Sequence, residues 1–155
     1  MTQVHELSVS RFIDASPQIV WRAFTEHAPQ WFTPRPWTTP MVHYDLFPGG
    51  RADVVMRSPQ GEEHHYRGVI LEVEKGRRIV STGAMTQGWV PQAGDMNFVR
   101  IDSFEPKGTG TQYTASARHW DENAMKIHAE MGFEEGWGIV ADQLAEVAMH
   151  LSKGM

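Results

Sequence analysis

The chain contains no cysteine, which excludes disulfides, thiolate zinc sites and a cysteine nucleophile together. It also lacks a surplus of positive charge. Fourteen Lys and Arg against nineteen Asp and Glu leave a net charge of −5, which repels phosphate backbones and withholds the basic footprint of a nucleic-acid binder. No stretch approaches the roughly 20 apolar residues needed to span a bilayer, and the opening MTQVHELSVS carries neither a basic leader nor an apolar run. A cytoplasmic protein with no nucleic acid and no membrane span is the expectation. No GxSxG elbow, Walker sequence, HExxH or HxxxH spacing occurs, so neither a metal site nor a cofactor is expected. GTGTQY, 108 to 113, lacks a third glycine and precedes a strand pattern, which makes it a hairpin turn rather than a phosphate cradle.

What is present fits one folded unit. The 155 residues, 41% hydrophobic and 21% charged, have the length and composition of one ordinary domain, with no internal repeat, so a single domain over 1–155 is expected. LSVSRFI, 7 to 13, alternates as a strand and gives way to DASPQIVWRAF, where Ser16 can N-cap a helix that starts on Pro17 and runs to about 26. HAPQWFTPRPWTTP then places four prolines and three large aromatics in fourteen residues, too broken for more than a turn of helix. Between 41 and 119 turn signals alternate with segments rich in Val, Ile, Tyr, Phe and Thr. The pattern predicts six antiparallel strands there. Side-chain alternation places Tyr113, Ala115, Ala117 and His119 on one face of the last strand, and Ala52, Val54 and Met56 on the inner face of an earlier one.

MGFEEGWGIVADQLAEVAMHL, 131 to 151, closes the chain. Phe133, Trp137, Val140, Leu144, Val147 and Leu151 fall at spacings of four and three, opposite Glu135, Asp142 and Glu146, so this is an amphipathic helix with one face to bury. It nonetheless carries glycines at 132, 136 and 138, each costing about 1 kcal/mol relative to alanine inside a helix. Close packing against strands or space for a ligand would each account for them.

The order of elements and the stretches RFIDASPQIVWRAFTE (11 to 26), QWFTP (30 to 34), DLFPGGRADVVMRSPQGEEHHYRGVILEVEKGRRIVST (45 to 82) and MGFEEGWGIVADQLAEVAMHL resemble the SRPBCC superfamily, also called START-like or birch-allergen-like. Within it they resemble the homologues of the activator of heat-shock-protein-90 ATPase. The resemblance implies an α+β helix-grip fold, in which a curved antiparallel sheet of about seven strands wraps a long C-terminal helix. It further implies a cavity between the two that holds an apolar small molecule, and a stress-response setting. QWFTPRPW departs from the usual pattern of two tryptophans before a glycine.

Trp31, Phe32 and Trp37 on the proline-broken loop, with Trp89 on another, could line a pocket mouth, or seat their loops in a minor core. Met56, Phe98, Phe133 and Trp137 read as core that also forms cavity wall. His119 shares the inner face with Tyr113 and is the candidate acid or base, with Tyr66 or an arginine to orient a substrate; the plainer reading is a histidine satisfied by backbone at a strand end. His64 and His65 are neighbours and point to opposite faces, and a His43, His65 and His119 metal set lacks any supporting spacing. Arg100 shares parity with Phe98; facing inward, it needs a carboxylate partner or an acidic ligand. The expected function is binding of an apolar or amphipathic small molecule, with a cyclase- or hydrolase-type enzyme using His119 and a chaperone-interacting module as alternatives. The sequence leaves a homodimer open.

Overall fold

The structure, a computed structural model, describes residues 3–94 and 97–154, so the ends of the expected 1–155 unit lie outside it. Strand β1 (His5–Ile13) leads into α1 (Pro17–Glu26). The Ser16 hydroxyl accepts from the Ile19 N–H at 3.3 Å and Pro17 takes the first turn, as the sequence predicts. A 3-10 turn, Ala28–Gln30, opens the proline-rich loop.

Among the described residues nine strands follow where six were expected: β2 (Thr38–Tyr44), β3 (Ala52–Arg57), β4 (Glu63–Tyr66), β5 (Val69–Glu74), β6 (Arg78–Thr82), β7 (Met85–Thr86), β8 (Val90–Pro91), β9 (Phe98–Lys107) and β10 (Gly110–His119). β7 and β8 are a two-residue pair inside a segment dominated by turn residues, which the sequence pattern reads as loop. A nine-residue helix, α2 (Glu122–Glu130), also escapes the sequence reading, although Asp121 caps it by accepting from Ala124 N–H at 2.8 Å. The chain ends in α3 (Phe133–Lys153). No helix among the described residues is long and apolar enough to cross a membrane.

The strands form an antiparallel five-stranded sheet in the order β1-β10-β9-β6-β5 and a three-stranded sheet β2-β3-β4. The sheets meet at one isolated bridge, Arg51 to Val69, extended by Gly49 N–H to Ile70 C=O (2.8 Å), Ile70 N–H to Gly50 C=O (2.9 Å) and Ala52 N–H to Gly68 C=O (3.1 Å). A Cβ on Gly68 would lie 2.5 Å from the Thr82 carbonyl oxygen, so this joint admits only glycine.

α3 lies across the inner face and packs against β1 and α1. Its buried residues are Phe133, Gly138, Ala141, Gln143, Leu144 and Ala148, and the small ones among them let the helix sit close to the strand. The aromatic core beneath it joins Phe24 to Phe104 (5.4 Å, edge-on) and to Trp31 (4.9 Å), and Phe104 to Tyr113 (5.5 Å). This α+β architecture, a large antiparallel sheet with a C-terminal helix, is the expected one.

Candidate functional site

Alternation along three strands builds one wall. Ala52, Val54 and Met56 on β3, Phe98 and Arg100 on β9, and Tyr113 and Ala115 on β10 all line a cavity of about 270 Å³ beneath α3. Gly136, Trp137 and Val140 close it from the helix side, Phe32, Thr33 and Pro34 from the proline-rich loop, and Tyr44 and Tyr66 from the small sheet. This volume lies just below the range of about 300–1,000 Å³ usual for small-molecule sites.

The glycines of the last helix have three separate explanations. Gly132 precedes α3 with φ +93°, a left-handed turn between α2 and α3. Gly136 faces the cavity, and a Cβ there would meet nothing within 4 Å. Gly138 backs onto β1, where an added Cβ would lie 2.7 Å from Arg11 Nη2. Arg11 crosses the helix at that point to reach the Asp142 carboxylate at 2.8 Å.

The proline-rich loop is held by one side chain that sequence reasoning does not single out. Gln143 of α3 is buried; its amide donates to the Trp31 and Thr33 carbonyls at 2.9 and 2.7 Å and accepts from the Arg35 N–H at 3.1 Å. A lone glutamine on the apolar side of a helix, facing a loop that cannot pair its own backbone, is the signal that could have found it.

The polar end of the cavity is an ion pair. Asp102 is 1% exposed, and an unpaired carboxylate there would be costly. It accepts from Arg100 Nε (2.9 Å), Arg100 Nη2 (3.2 Å) and the Tyr113 hydroxyl (2.6 Å). Arg100 thus has the carboxylate partner that its inward parity demanded. Its guanidinium carbon lies over the rings of Trp137 and Phe32, 4.6 and 5.1 Å from their centroids. Burial works against its charge, but Asp102 and the nearby Tyr113 outweigh this and hold the guanidinium firmly protonated. Burial, reinforced by Asp102, pushes the Tyr113 hydroxyl well above the ordinary phenol range. Burial likewise raises Tyr44 and Tyr66, opposed in each by Arg100. All three phenols stay neutral near pH 7.

Of the candidates named from sequence, Met56, Tyr66, Phe98, Tyr113 and Trp137 line the cavity together. Phe133 stands one layer behind, stacked on Trp137 at 4.4 Å. Trp31 is not on the wall: it is 1% exposed in the core, its indole N–H donating to the Ala23 carbonyl at 2.9 Å. Trp37 packs on His64 at 5.6 Å, and Trp89 covers Gly49 from a left-handed turn (φ 64°); neither lines the cavity.

His119 is inward but does not reach the cavity. Phe98 stands in front of it, with ring centroids 5.8 Å apart. Its Nδ1–H donates to the His5 carbonyl at 3.1 Å, which leaves Nε2 to accept from His128 Nδ1 at 2.8 Å. Phe98, Phe133 and Trp137 surround His128, and burial, with His119 adding to it, lowers its pKa to about 4. The three histidines weighed as a metal set do not meet: His43 pairs with Asp45 at 2.8 Å, His65 lies 3.6 Å from Glu63, and His119 is bound to His128. No His, Asp and Glu cluster suited to a metal occurs among the described residues.

Comparison with known proteins places this geometry. Residues 14–149 match the family model described as Activator of Hsp90 ATPase homolog 1-like protein. No curated protein matches the chain. A crystal structure of a Nitrosomonas europaea protein is 34% identical, superposes with a TM-score of 0.88 and covers 94% of each chain. A solution structure from Arthrobacter aurescens (20% identity, TM-score 0.81, covering 96% of this chain and 92% of that one) shares the fold. So does the AHSA1 protein from Silicibacter pomeroyi (20%, TM-score 0.68, 94% and 99%). With the match running from the loop before α1 nearly to the end of α3, this chain belongs to the Activator of Hsp90 ATPase homolog 1-like family, of SRPBCC type.

Proposed function

We propose that this chain binds an apolar small molecule in the cavity between α3 and the sheets. The observation that carries the reading is the vacant side of α3 at Gly136: helix, loop and both sheets close around a space that no side chain enters at that position. Cores are otherwise packed to crystal-like density, and space of this kind has a cost that a ligand offsets.

Catalysis through His119 finds no support in the geometry, since both its nitrogens are engaged and Phe98 separates it from the space. The titratable groups on the wall are Arg100 and three tyrosines, none suited to exchange protons near pH 7.

Displacement of an environment-sensitive fluorescent probe, with denaturing mass spectrometry of the purified protein, tests the proposal. Apolar competitors are expected to displace the probe from the native chain. A Gly136→Phe variant, which fills the space, is expected to lose at least tenfold in probe affinity while keeping its circular dichroism spectrum. Failure of every apolar probe to bind the native chain would overturn the reading.

A further inference from the structure

The polar end of the cavity is built around Arg100, with the hydroxyls of Tyr44, Tyr66, Ser81 and Thr82 on the same wall. Both oxygens of Asp102 are engaged, Oδ1 accepting from Tyr113 and Arg100 Nη2, and Oδ2 from Arg100 Nε. Arg100 Nη1 hydrogen-bonds no described residue, nor do the hydroxyls of Tyr44 and Tyr66. No buried side-chain nitrogen or oxygen among the described residues lacks a partner. The Nη1 of Arg100 and the hydroxyl of Tyr44 are therefore open, and the space they border is the cavity. A guanidinium edge held fast by Asp102 and flanked by Phe32 and Trp137 is a preorganised donor pair in apolar surroundings, where a hydrogen bond is strongest.

Charge decides which acceptor suits it. Asp102 already neutralises Arg100, and the tyrosines stay neutral, so the site carries no net positive charge for an anion to meet. A carboxylate would bring an unbalanced negative charge next to Asp102 into an otherwise apolar wall. A neutral carbonyl oxygen takes the Nη1 hydrogens without that penalty. The remaining wall is ring-rich, with Phe98, Trp137, Tyr44 and Tyr66 around the space left open on the helix side at Gly136, which favours a planar ring system stacked or edge-on.

Resting on the cavity reading above, we propose that the ligand is a neutral aromatic carbonyl compound of one or two rings, its oxygen bound to Arg100 Nη1. Three probes of one shape test this at pH 7.5 by calorimetry: 2-acetylnaphthalene, 2-isopropenylnaphthalene, which lacks the oxygen, and 2-naphthoate, which carries the charge. The ketone is expected to bind at least tenfold more tightly than either. In an Arg100→Gln/Asp102→Asn double variant, which removes both charges while preserving shape, the preference for ketone over hydrocarbon should shrink to within twofold. Arg100→Lys, which keeps the pair but withdraws the Nη1 edge, should weaken the ketone at least fivefold more than it weakens the hydrocarbon. Equal binding of ketone and hydrocarbon, tightest binding of the naphthoate, or binding of none of the three while the fluorescent apolar probe still binds would overturn the proposal and leave the cavity reading intact; failure of every apolar probe, these three included, would overturn both.

Discussion

Gly136 and Gly138 stand two positions apart in one helix and answer to different neighbours. At Gly136 a methyl group enters open space, so Gly136→Ala removes the helix penalty without a clash and is expected to raise stability by about 0.5–1 kcal/mol. At Gly138 the same methyl displaces the Arg11 guanidinium and disturbs its pairing with Asp142. Those side chains are 39% and 61% exposed, so the disturbed pair is worth at most about 1 kcal/mol, enough to cancel the gain. Urea denaturation of both variants checks the contrast: equal stabilisation would show that Arg11 gives way freely. The alternation of β3 and β10 is legible in the sequence because their inward residues are apolar or small, and the need of Arg100 for a carboxylate can be stated from its parity. That the partner is Asp102, two positions on, follows only when β9 is known to run unbroken with both residues inward.

α2 shows what short elements hide. Nine residues with a weakly apolar side give little periodic signal, and the markers present, Asp121 before it and Gly132 after it, stand alone without a strong pattern between them. Without α2, His119 has no visible partner; with it, His128 is delivered against the imidazole and three aromatic rings. His119 on β10 is the titratable group that adds to the shift of His128, while Phe98, Phe133 and Trp137 supply the aromatic wall. His128 titrates at about 4 in the folded chain against 6.5 ordinarily. The unfolded chain therefore binds more protons in that interval, and the stability this group contributes is complete above pH 6.5 and lost as pH falls through about 4. Denaturation midpoints of the native chain and of His128→Phe are expected to diverge in slope between these limits, the native chain losing up to about 1.4 kcal/mol per pH unit more. Parallel pH profiles would remove His128 from the account.

The order of strands and helices carries the α+β layout into the sequence plainly, because each turn signal marks a connection and α3 has a long apolar stripe. The division into two sheets leaves no such trace, since β4 and β5 are separated only by Arg67 and Gly68 and read as a continuous meander. That division gives the molecule unequal halves. β9 and β10 are paired on both sides within the large sheet, whereas β2-β3-β4 is tied to it by the Arg51–Val69 bridge and its few flanking bonds. Amide hydrogen exchange is accordingly expected to be faster by at least tenfold in β2 and β4 than in β9 and β10; uniform protection would show that the joint is rigid. Tyr44, Ala52, Val54, Met56 and Tyr66 belong to the loosely tied half, and Phe98, Arg100, Tyr113 and Ala115 to the firm one. A guest lodged beneath α3 would bridge the two as a removable rivet, so how often this flap breathes, rather than how well the guest fits, would govern the traffic of cargo in and out.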